Sequence, residues 1–212
     1  MILWLKRVIY RSMDLKAQKL SGLGNKIILI DLLTQSGTIN SKEVKKITDT
    51  RQEDFDQLIS IKPPNNPLND LRVEIFNRDG SIAVNCVNGA RCLAKYVSES
   101  GLIAKKNFLV ETDDSIWKIG LHANGIYSVQ LSPPNFEACL DTLPKANKNN
   151  RHKLILENGT LEVGTVNLGN QHAVAFFNSI RDIPLRSWGD ELQNSSYFPR
   201  GVNLGIAKIL SS

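Results

Sequence analysis

A cysteine at the expected start of a helix is the residue of this chain whose chemistry is clearest. Cys86 opens the run Cys-Val-Asn-Gly-Ala-Arg-Cys at 86–92, which follows a turn-like segment and precedes an apolar helical pattern. A helix N-terminus presents unpaired backbone N–H groups and a partial positive charge. Such an end stabilises a thiolate and can hold a carboxylate. We therefore expect Cys86 to act as a nucleophile or a base.

Hydrophobic periodicity predicts the elements around Cys86. Residues 27–30 and 71–75 are typical of strands, the second by its alternation of apolar and polar residues, and 77–80 is typical of a tight turn. Apolar residues from 90 to 97 lie on one face of a helix that should end at Gly101. Further expected elements are a helix capped by Ser41, strands at 55–59 and 82–84, a hairpin at Asn158-Gly159, a helix after Pro184 and a last strand at 202–210.

The composition restricts the classes of function. The chain has 212 residues, 42% apolar and 22% charged, so it can form one large domain or two small lobes. The net charge of +5 comes without a basic stripe interleaved with aromatic residues, so no nucleic-acid partner is expected. The first apolar run, 1–5, is too short for a signal peptide or a membrane span, so no membrane partner is expected. Three cysteines, an odd number, favour a reducing compartment, with the cytoplasm as the default.

The chain is predicted to divide into three parts. Residues 1–16 are expected to be an N-terminal extension outside the fold. The diproline Pro133-Pro134 marks a boundary between a first lobe, 17–133, and a second lobe, 134–212. The two lobes echo each other weakly, because Gly-Leu-Gly-Asn at 22–25 is matched by Asn-Leu-Gly-Asn at 167–170.

Four separated segments of the chain combine glycines, amides and the cysteine: Gly22-Leu-Gly-Asn25, Phe55-Asp-Gln57, Phe76-Asn77 with the Cys86 run, and Gly169-Asn-Gln-His172 with Phe198-Pro-Arg-Gly-Val-Asn203. Their order and spacing resemble diaminopimelate epimerase, over roughly residues 18–212. Several motifs in register are more specific than any one alone. The resemblance implies a mixed α/β (α+β) fold of two pseudo-symmetric lobes, each a mostly antiparallel sheet around a central helix.

The resemblance also implies an activity and a role for individual residues. The family interconverts LL- and meso-diaminopimelate, for lysine and peptidoglycan synthesis, without pyridoxal phosphate, a metal or another cofactor. It transfers protons with two cysteines on opposite faces of the substrate α-carbon, and Cys86 resembles one of them. His172 matches a histidine that tunes thiol acidity, whereas Cys92 is expected in the core and Cys139 in a loop, both without a catalytic role. The positions expected to hold the substrate are Asn25, Gln57, Asn77, Val87, Asn88, Asn170 and Asn203.

Two departures from the family pattern change the expectation. Val87 stands where the family has glycine, and its stiff β-branched side chain is expected to weaken substrate binding. The family's second cysteine segment, an Ala-Cys-Gly helix start after the strand that holds Asn203, is not among these 212 residues. We therefore expect a C-terminally truncated chain with an incomplete second lobe, inactive or severely impaired alone.

Three alternatives remain open at this point. A homodimer or a separately encoded C-terminal fragment could complete the site. The chain could instead be a non-catalytic protein that binds diaminopimelate in an amide-rich pocket. A sister activity on the same fold, like that of proline racemase or of a phenazine-pathway isomerase, is the third, and Gln57, Asn77 and Asn203 argue against it.

Overall fold

The computed structural model describes residues 2–10, 15–51, 54–137 and 140–210. The chain divides into two compact units, 1–132 and 133–212. The division falls immediately before the diproline, one residue from the boundary expected from the sequence. Cys139, expected in a loop, lies outside the described residues.

The first unit contains a sheet of eight strands whose spatial order follows the chain order. Two neighbouring pairs, β3 with β4 and β5 with β6, are parallel, and the other pairs are antiparallel. The strands are β1 (Ile2–Tyr10), β2 (Leu15–Gly22), β3 (Asn25–Asp31), β4 (Gln57–Lys62), β5 (Leu71–Asn77), β6 (Asn107–Glu111), β7 (Ile116–Leu121) and β8 (Tyr127–Gln130). The mostly antiparallel sheet predicted for this lobe is therefore confirmed.

One helix, α2 (Val87–Ser100), packs against strands from both ends of this sheet, β2 and β3 on one side and β7 and β8 on the other. The predicted apolar face is buried, with Ala90, Leu93 and Val97 inside the core. Gly101 ends the helix in the left-handed conformation, as predicted, because a glycine has no side chain to oppose a φ of 68°. The sheet thus curls around the helix that begins at Cys86.

A second helix, α1 (Ser41–Arg51), packs over the opposite side of the sheet, with Val44 in a core shared with β3. The predicted cap at Ser41 is wrong by one residue, since the Asn40 side chain accepts hydrogen bonds from the backbone nitrogens of Lys42 and Glu43. The start of this helix also contacts the turn at 77–80. A Cβ at Gly80 would stand 2.6 Å from the carbonyl oxygen of Ser41.

The N-terminal segment differs from its predicted description as an extension outside the fold. Strand β1 pairs with β2 along most of its length, and residues 15 and 16 belong to β2 itself. Strand pairing uses backbone N–H and C=O groups, which every sequence offers, so the side-chain pattern of 1–16 does not reveal it. The predicted strand at 82–84 is reduced to one bridge, between Phe76 and Ile82, because the chain turns away toward the helix at Cys86.

The second unit contains a four-stranded sheet in the order β12-β11-β10-β9 and a helix, α3 (Leu185–Gln193). The predicted Asn158-Gly159 hairpin and the helix after Pro184 are both present. Strand β12 runs parallel to β11, with α3 in the connection between them, and the other pairs are antiparallel. The strands are β9 (His152–Leu156), β10 (Gly159–Asn167), β11 (Gln171–Phe176) and β12 (Asn203–Ala207).

Candidate active site

The thiol of Cys86 lies at the N-terminus of α2, as the sequence predicts. Cys86 is the N-cap residue, with extended backbone angles of −149° and 93°, and its Sγ accepts a hydrogen bond from the backbone nitrogen of Gly89 at 3.1 Å. The side chain is 7% exposed. A cysteine therefore occupies the capping position that serine, threonine, asparagine or aspartate usually fills.

Opposing effects act on the acidity of this thiol. Burial raises the pKa of Cys86, and the charge of Asp56 raises it further. Hydrogen bonds from the backbone nitrogens of Gly89 and Asn88 and from the side chain of Asn25 lower the pKa, but burial outweighs them. Cys86 is thus a protonated thiol at neutral pH, surrounded by donors that would stabilise its thiolate.

Two glycines allow the first turn of α2 to approach the sheet closely. A Cβ at Gly89 would stand 2.5 Å from Cδ1 of Ile59 and 3.1 Å from Sγ of Cys86. A Cβ at Gly22, the last residue of β2, would stand 3.2 Å from both the carbonyl oxygen of Asn88 and the Sγ of Cys92. The first turn of α2 is therefore packed closely against β2 and β4, and Gly89 is the position of the two where a methyl group would press on the Cys86 thiol.

Three amide side chains belong to the same end of the sheet. Asn25 begins β3, Gln57 begins the parallel strand β4, and Asn77 ends the antiparallel strand β5 directly opposite Gln57. Nε2 of Gln57 donates to Oδ1 of Asn77 at 3.2 Å, and Nδ2 of Asn77 donates to Oγ of Ser81 at 3.0 Å. Because Asn25 also hydrogen-bonds to Cys86, this unit brings the thiol and uncharged amides together.

Val87 and Asn88 follow Cys86 in the first turn of the helix. The side chain of Val87 is 42% exposed, and that of Asn88 is half-buried. Since helix side chains point back toward the N-terminus, Val87 lies beside the backbone donors of that turn. The sequence predicts that the Val87 side chain hinders binding of a substrate carboxylate to these donors.

In the second unit, three of the expected residues lie together. Nε2 of His172 is 3.0 Å from Oδ1 of Asn170, and His172 stands opposite Asn203 in the parallel pairing of β11 with β12. An amide oxygen can only accept, so this contact is a hydrogen bond in the neutral ring form that has its proton on Nε2. Burial lowers the pKa of His172, which favours that neutral form.

A sequence profile described as diaminopimelate epimerase matches residues 17–137. The diaminopimelate epimerase of Pseudomonas savastanoi pv. phaseolicola is 35% identical over 199 residues, which are 93% of this chain and 72% of that protein. This chain belongs to the diaminopimelate epimerase family. The enzyme of Azotobacter vinelandii, 33% identical, and that of Teredinibacter turnerae, 30% identical, also align along 72% of their own lengths. By family the chain is an isomerase.

Solved structures support the fold of the family member described here. A hydroxyproline epimerase from Agrobacterium vitis superposes with a TM-score of 0.55 at 11% identity, covering 79% of this chain and 53% of that one. A PhzF-family phenazine biosynthesis protein from Bacillus anthracis gives a TM-score of 0.54 at 15% identity, covering 90% and 64%. At these identities the likeness shows the fold alone, and it confirms the predicted mixed α/β class.

Sequence reasoning missed two residues that act on the thiol of this family member. Asp56 stands in the Phe-Asp-Gln motif without an assigned role, yet its charge raises the pKa of Cys86. Gly89 contacts both the thiol and β4. The sequence could have indicated Gly89 by its position three residues after the N-cap, because the N-cap side chain accepts a hydrogen bond from the N–H of that residue.

Two other kinds of site, a metal centre and a membrane span, are not found among the described residues. Those residues include no group of three or more His, Cys, Asp and Glu side chains placed to hold a metal ion. Within the same ranges, no helix combines the length and apolar character that a membrane span requires.

Proposed function

We propose that this chain takes part in the interconversion of LL- and meso-diaminopimelate, with Cys86 as one of two thiols that move a proton at the α-carbon. The observation that supports this most is the placement of the Cys86 Sγ at the N-terminus of α2, 3.1 Å from the Gly89 nitrogen, in a member of this family. The amide side chains of Asn25, Gln57, Asn77 and Asn88 would hold the zwitterionic substrate without adding a competing charge.

The raised pKa of Cys86 suggests the order of proton movement. A protonated thiol can donate, so Cys86 acts as the general acid that delivers a proton to one face of the α-carbon once a base on the opposite face has removed the original proton. The thiolate that remains is then stabilised by the N–H groups of Asn88 and Gly89 and by the Asn25 amide. In the opposite direction the same thiolate is the base.

The carbanion between the two proton transfers needs stabilisation by fixed dipoles. The first turn of α2 offers backbone N–H groups and the positive end of the helix dipole to the α-carboxylate. Val87, at the first helical position, narrows the approach to those groups, and we propose that it weakens binding of the carboxylate.

A second thiol must stand on the opposite face of the α-carbon. Cys92 does not suit this role, because its side chain is fully buried in the core and burial raises its pKa to about 12. We propose that a segment other than these 212 residues provides the second thiol, either in continuation of the chain or on another chain. These 212 residues alone would then show little inversion.

Asn170 and Asn203 of the second unit match family positions that hold the substrate, and we propose that role for them. Burial favours the neutral form of His172, which hydrogen-bonds to Asn170 through Nε2, so it would act by hydrogen bonding rather than by its charge. We also place the protein in the cytoplasm, since proton transfer by Cys86 requires a reduced thiol.

The test is exchange of the α-proton of LL-diaminopimelate in deuterated water, followed by mass spectrometry. Cys86→Ser should abolish exchange, whereas Cys92→Ala and Cys139→Ala are matched controls that should retain it. Exchange that survives in Cys86→Ser would rule out Cys86 as the acid or base. Inversion by the 212 residues at the rate of the Azotobacter vinelandii enzyme would contradict a second thiol from elsewhere.

Binding without proton transfer is the second candidate function. The full burial of Cys92 favours it, because among the described residues it leaves Cys86 without an accessible second thiol to oppose it. Calorimetry separates the two functions. Heat of binding with diaminopimelate, together with no α-proton exchange even above pH 9, would support the binding role.

A further inference from the structure

The outer face of β6, β7 and β8 carries a polar groove that the proposed function does not use. Side chains alternate along these strands, so Phe108 and Ile119 lie in the core around α2 while their neighbours point away from it. Helix α1 shares its core with β2 to β5, and the groove lies beyond them. Its volume of about 480 Å³ is within the range of small-molecule sites. Lys118, Ser128 and Gln130 line it and are exposed, so a ligand can reach it from solvent.

Three polar side chains of this region converge on Gly120. The strand pairing places Gly120 directly between Asn107 of β6 and Ser128 of β8. A Cβ at position 120 would stand 2.6 Å from Oγ of Ser128, 3.1 Å from Oδ1 of Asn107 and 3.1 Å from Nε2 of His122. Gly120 is not among the glycines with a positive φ, so the backbone conformation does not require a glycine here. The missing side chain instead provides the space in which the three polar groups meet.

Two of these groups can donate hydrogen bonds to the same ligand. Nε2 of His122 and Oγ of Ser128 are 2.8 Å apart. When Nε2 carries a proton, His122 donates to the Ser128 oxygen and leaves the hydroxyl proton free for a ligand. The amide of Asn107 presents its NH2 group to the same place once it turns over, because its oxygen and nitrogen have the same shape. The groove therefore offers a hydroxyl and an amide donor side by side.

The charge of the groove comes from Lys118. Within the described ranges, its ammonium group makes no ion pair. The other lysine of the groove, Lys105, is 2.6 Å from a carboxylate oxygen of Asp70, which offsets its charge. An anion bound at Lys118 would therefore gain an ion pair without breaking one.

We propose that this groove binds the phosphate group of a small phosphorylated molecule, with Lys118, Ser128 and Asn107 as its donors. A phosphate monoester carries a charge of about −1.5 to −2 at neutral pH and has three strong acceptor oxygens. These match one ammonium, one hydroxyl and one amide donor, whereas a carboxylate has two oxygens and a single charge. The groove continues along Leu68 and Leu109, which leaves room for the organic part. Because α2 lies on the other face of the sheet, this proposal does not depend on the proposed function.

The experiment is a titration of the chain with inorganic phosphate and with phenyl phosphate, followed by proton NMR of the His122 imidazole at neutral pH. His122→Gln identifies the signal. Both probes should shift this signal and reach saturation. Tighter binding of phenyl phosphate would indicate a phosphate ester as the ligand, and equal binding would indicate free phosphate. The His122 signal distinguishes this groove from the helix N-terminus at Cys86, where an anion could also bind.

Two substitutions test the residues that form the groove. Lys118→Gln should weaken phosphate binding about fivefold, the upper end for an exposed ion pair. Lys148→Gln removes the same charge from an exposed position of the second unit and should retain the wild-type affinity. Gly120→Ala should also weaken binding, because its Cβ pushes the polar side chains apart. Its control is Gly164→Ala, where a Cβ meets nothing within 4 Å.

Several results would overturn the proposal. One is the absence of a saturable shift in the wild-type chain. Another is an equal loss of affinity in Lys118→Gln and Lys148→Gln, which would show attraction by net charge alone. Acetate that binds as tightly as phosphate would contradict a phosphate ligand. None of these results affects α-proton exchange at Cys86, so the proposed function is tested separately. Circular dichroism establishes the fold of each variant, and Lys118→Gln provides the test if Gly120→Ala does not fold.

Discussion

The Sγ of Cys86 is 3.1 Å from the backbone nitrogen of Gly89, and a methyl group on Gly89 would come within 3.1 Å of the same sulfur. The residue that donates to the thiol is thus also the residue that must have no side chain. Gly89 therefore affects the Cys86 thiol both by its hydrogen bond and by its close packing, and substitution of Gly89 tests the packing.

Gly89→Ala should destabilise the first unit even though alanine favours helices. Its Cβ would stand 2.5 Å from Cδ1 of Ile59, so either the fully buried Ile59 side chain must change its rotamer or the helix must shift away from β4. Overpacking of this kind costs about 1–3 kcal/mol. Urea unfolding measures the change, with Gly164→Ala as control, since a Cβ there meets nothing within 4 Å. Equal stability of the two variants would contradict the close packing described for Gly89.

Asn25→Ala and Asp56→Asn should move the pKa of Cys86 in opposite directions. Removal of the Asn25 amide takes away a donor to the thiolate and raises the pKa, whereas neutralising Asp56 removes a repelling charge and lowers it. Asparagine at 56 can still accept the hydrogen bond that the Lys26 nitrogen makes with Asp56 at 2.8 Å. Thiolate absorbance near 240 nm, as a function of pH and relative to Cys86→Ser, gives both shifts. Shifts of the same sign would show that the assignment of these two effects is wrong.

Cys92 should make the stability of the chain depend on alkaline pH. Its folded-state pKa is raised from 9.0 to about 12 by burial, so the unfolded chain loses its proton first. The stabilisation is fully present below pH 9 and should decline by about 1.4 kcal/mol per pH unit between pH 9 and 12. Cys92→Ala lowers the stability at every pH through its cavity, but it should remove this part of the slope. Parallel slopes for the two proteins in urea unfolding would refute the prediction.

His172 should titrate below the ordinary histidine range. Burial lowers its pKa, so the unfolded chain binds the proton more readily and stability falls as pH drops below about 6.5, the unperturbed value. Proton NMR of the imidazole signals measures the midpoint, with His172→Gln to assign the resonance. Asn170→Asp places a carboxylate beside Nε2 and should raise the pKa. A midpoint for His172 at or above the unperturbed value of about 6.5 would count against the prediction.

The two ends of α2 were predictable from the sequence because particular residue types control the backbone there. The tight turn at 77–80 indicates that the helix starts near Cys86. Gly101 indicates where it ends, because glycine readily adopts the left-handed conformation. Asn25, Gln57 and Asn77 could be assigned through the family motifs. Their place at one end of the sheet depends on the pairing of β3, β4 and β5, which motifs alone do not specify.

What the sequence could not predict depends on backbone pairing and on the directions of side chains. Strand β1 joins the sheet through its backbone, so residues 1–16 were interpreted as an extension. The cap of α1 is Asn40 rather than Ser41, since both types favour that position and only the geometry decides between neighbours. The hydrogen bond from Gln57 to Asn77 was not predictable either, because it depends on the register in which β4 pairs with β5.

The contact between Gly80 and α1 implies that some residues far from any ligand will be as sensitive to mutation as residues that touch it. A side chain at Gly80 would meet the Ser41 carbonyl oxygen at 2.6 Å and would also oppose a φ of 81°. Thr48 of α1 holds the same turn by donating to the carbonyl oxygen of Arg78 at 2.8 Å. In a scan of all substitutions, Gly80 and Thr48 should therefore be as sensitive as the residues that we propose to bind the substrate, although α1 lies on the far side of the sheet from α2.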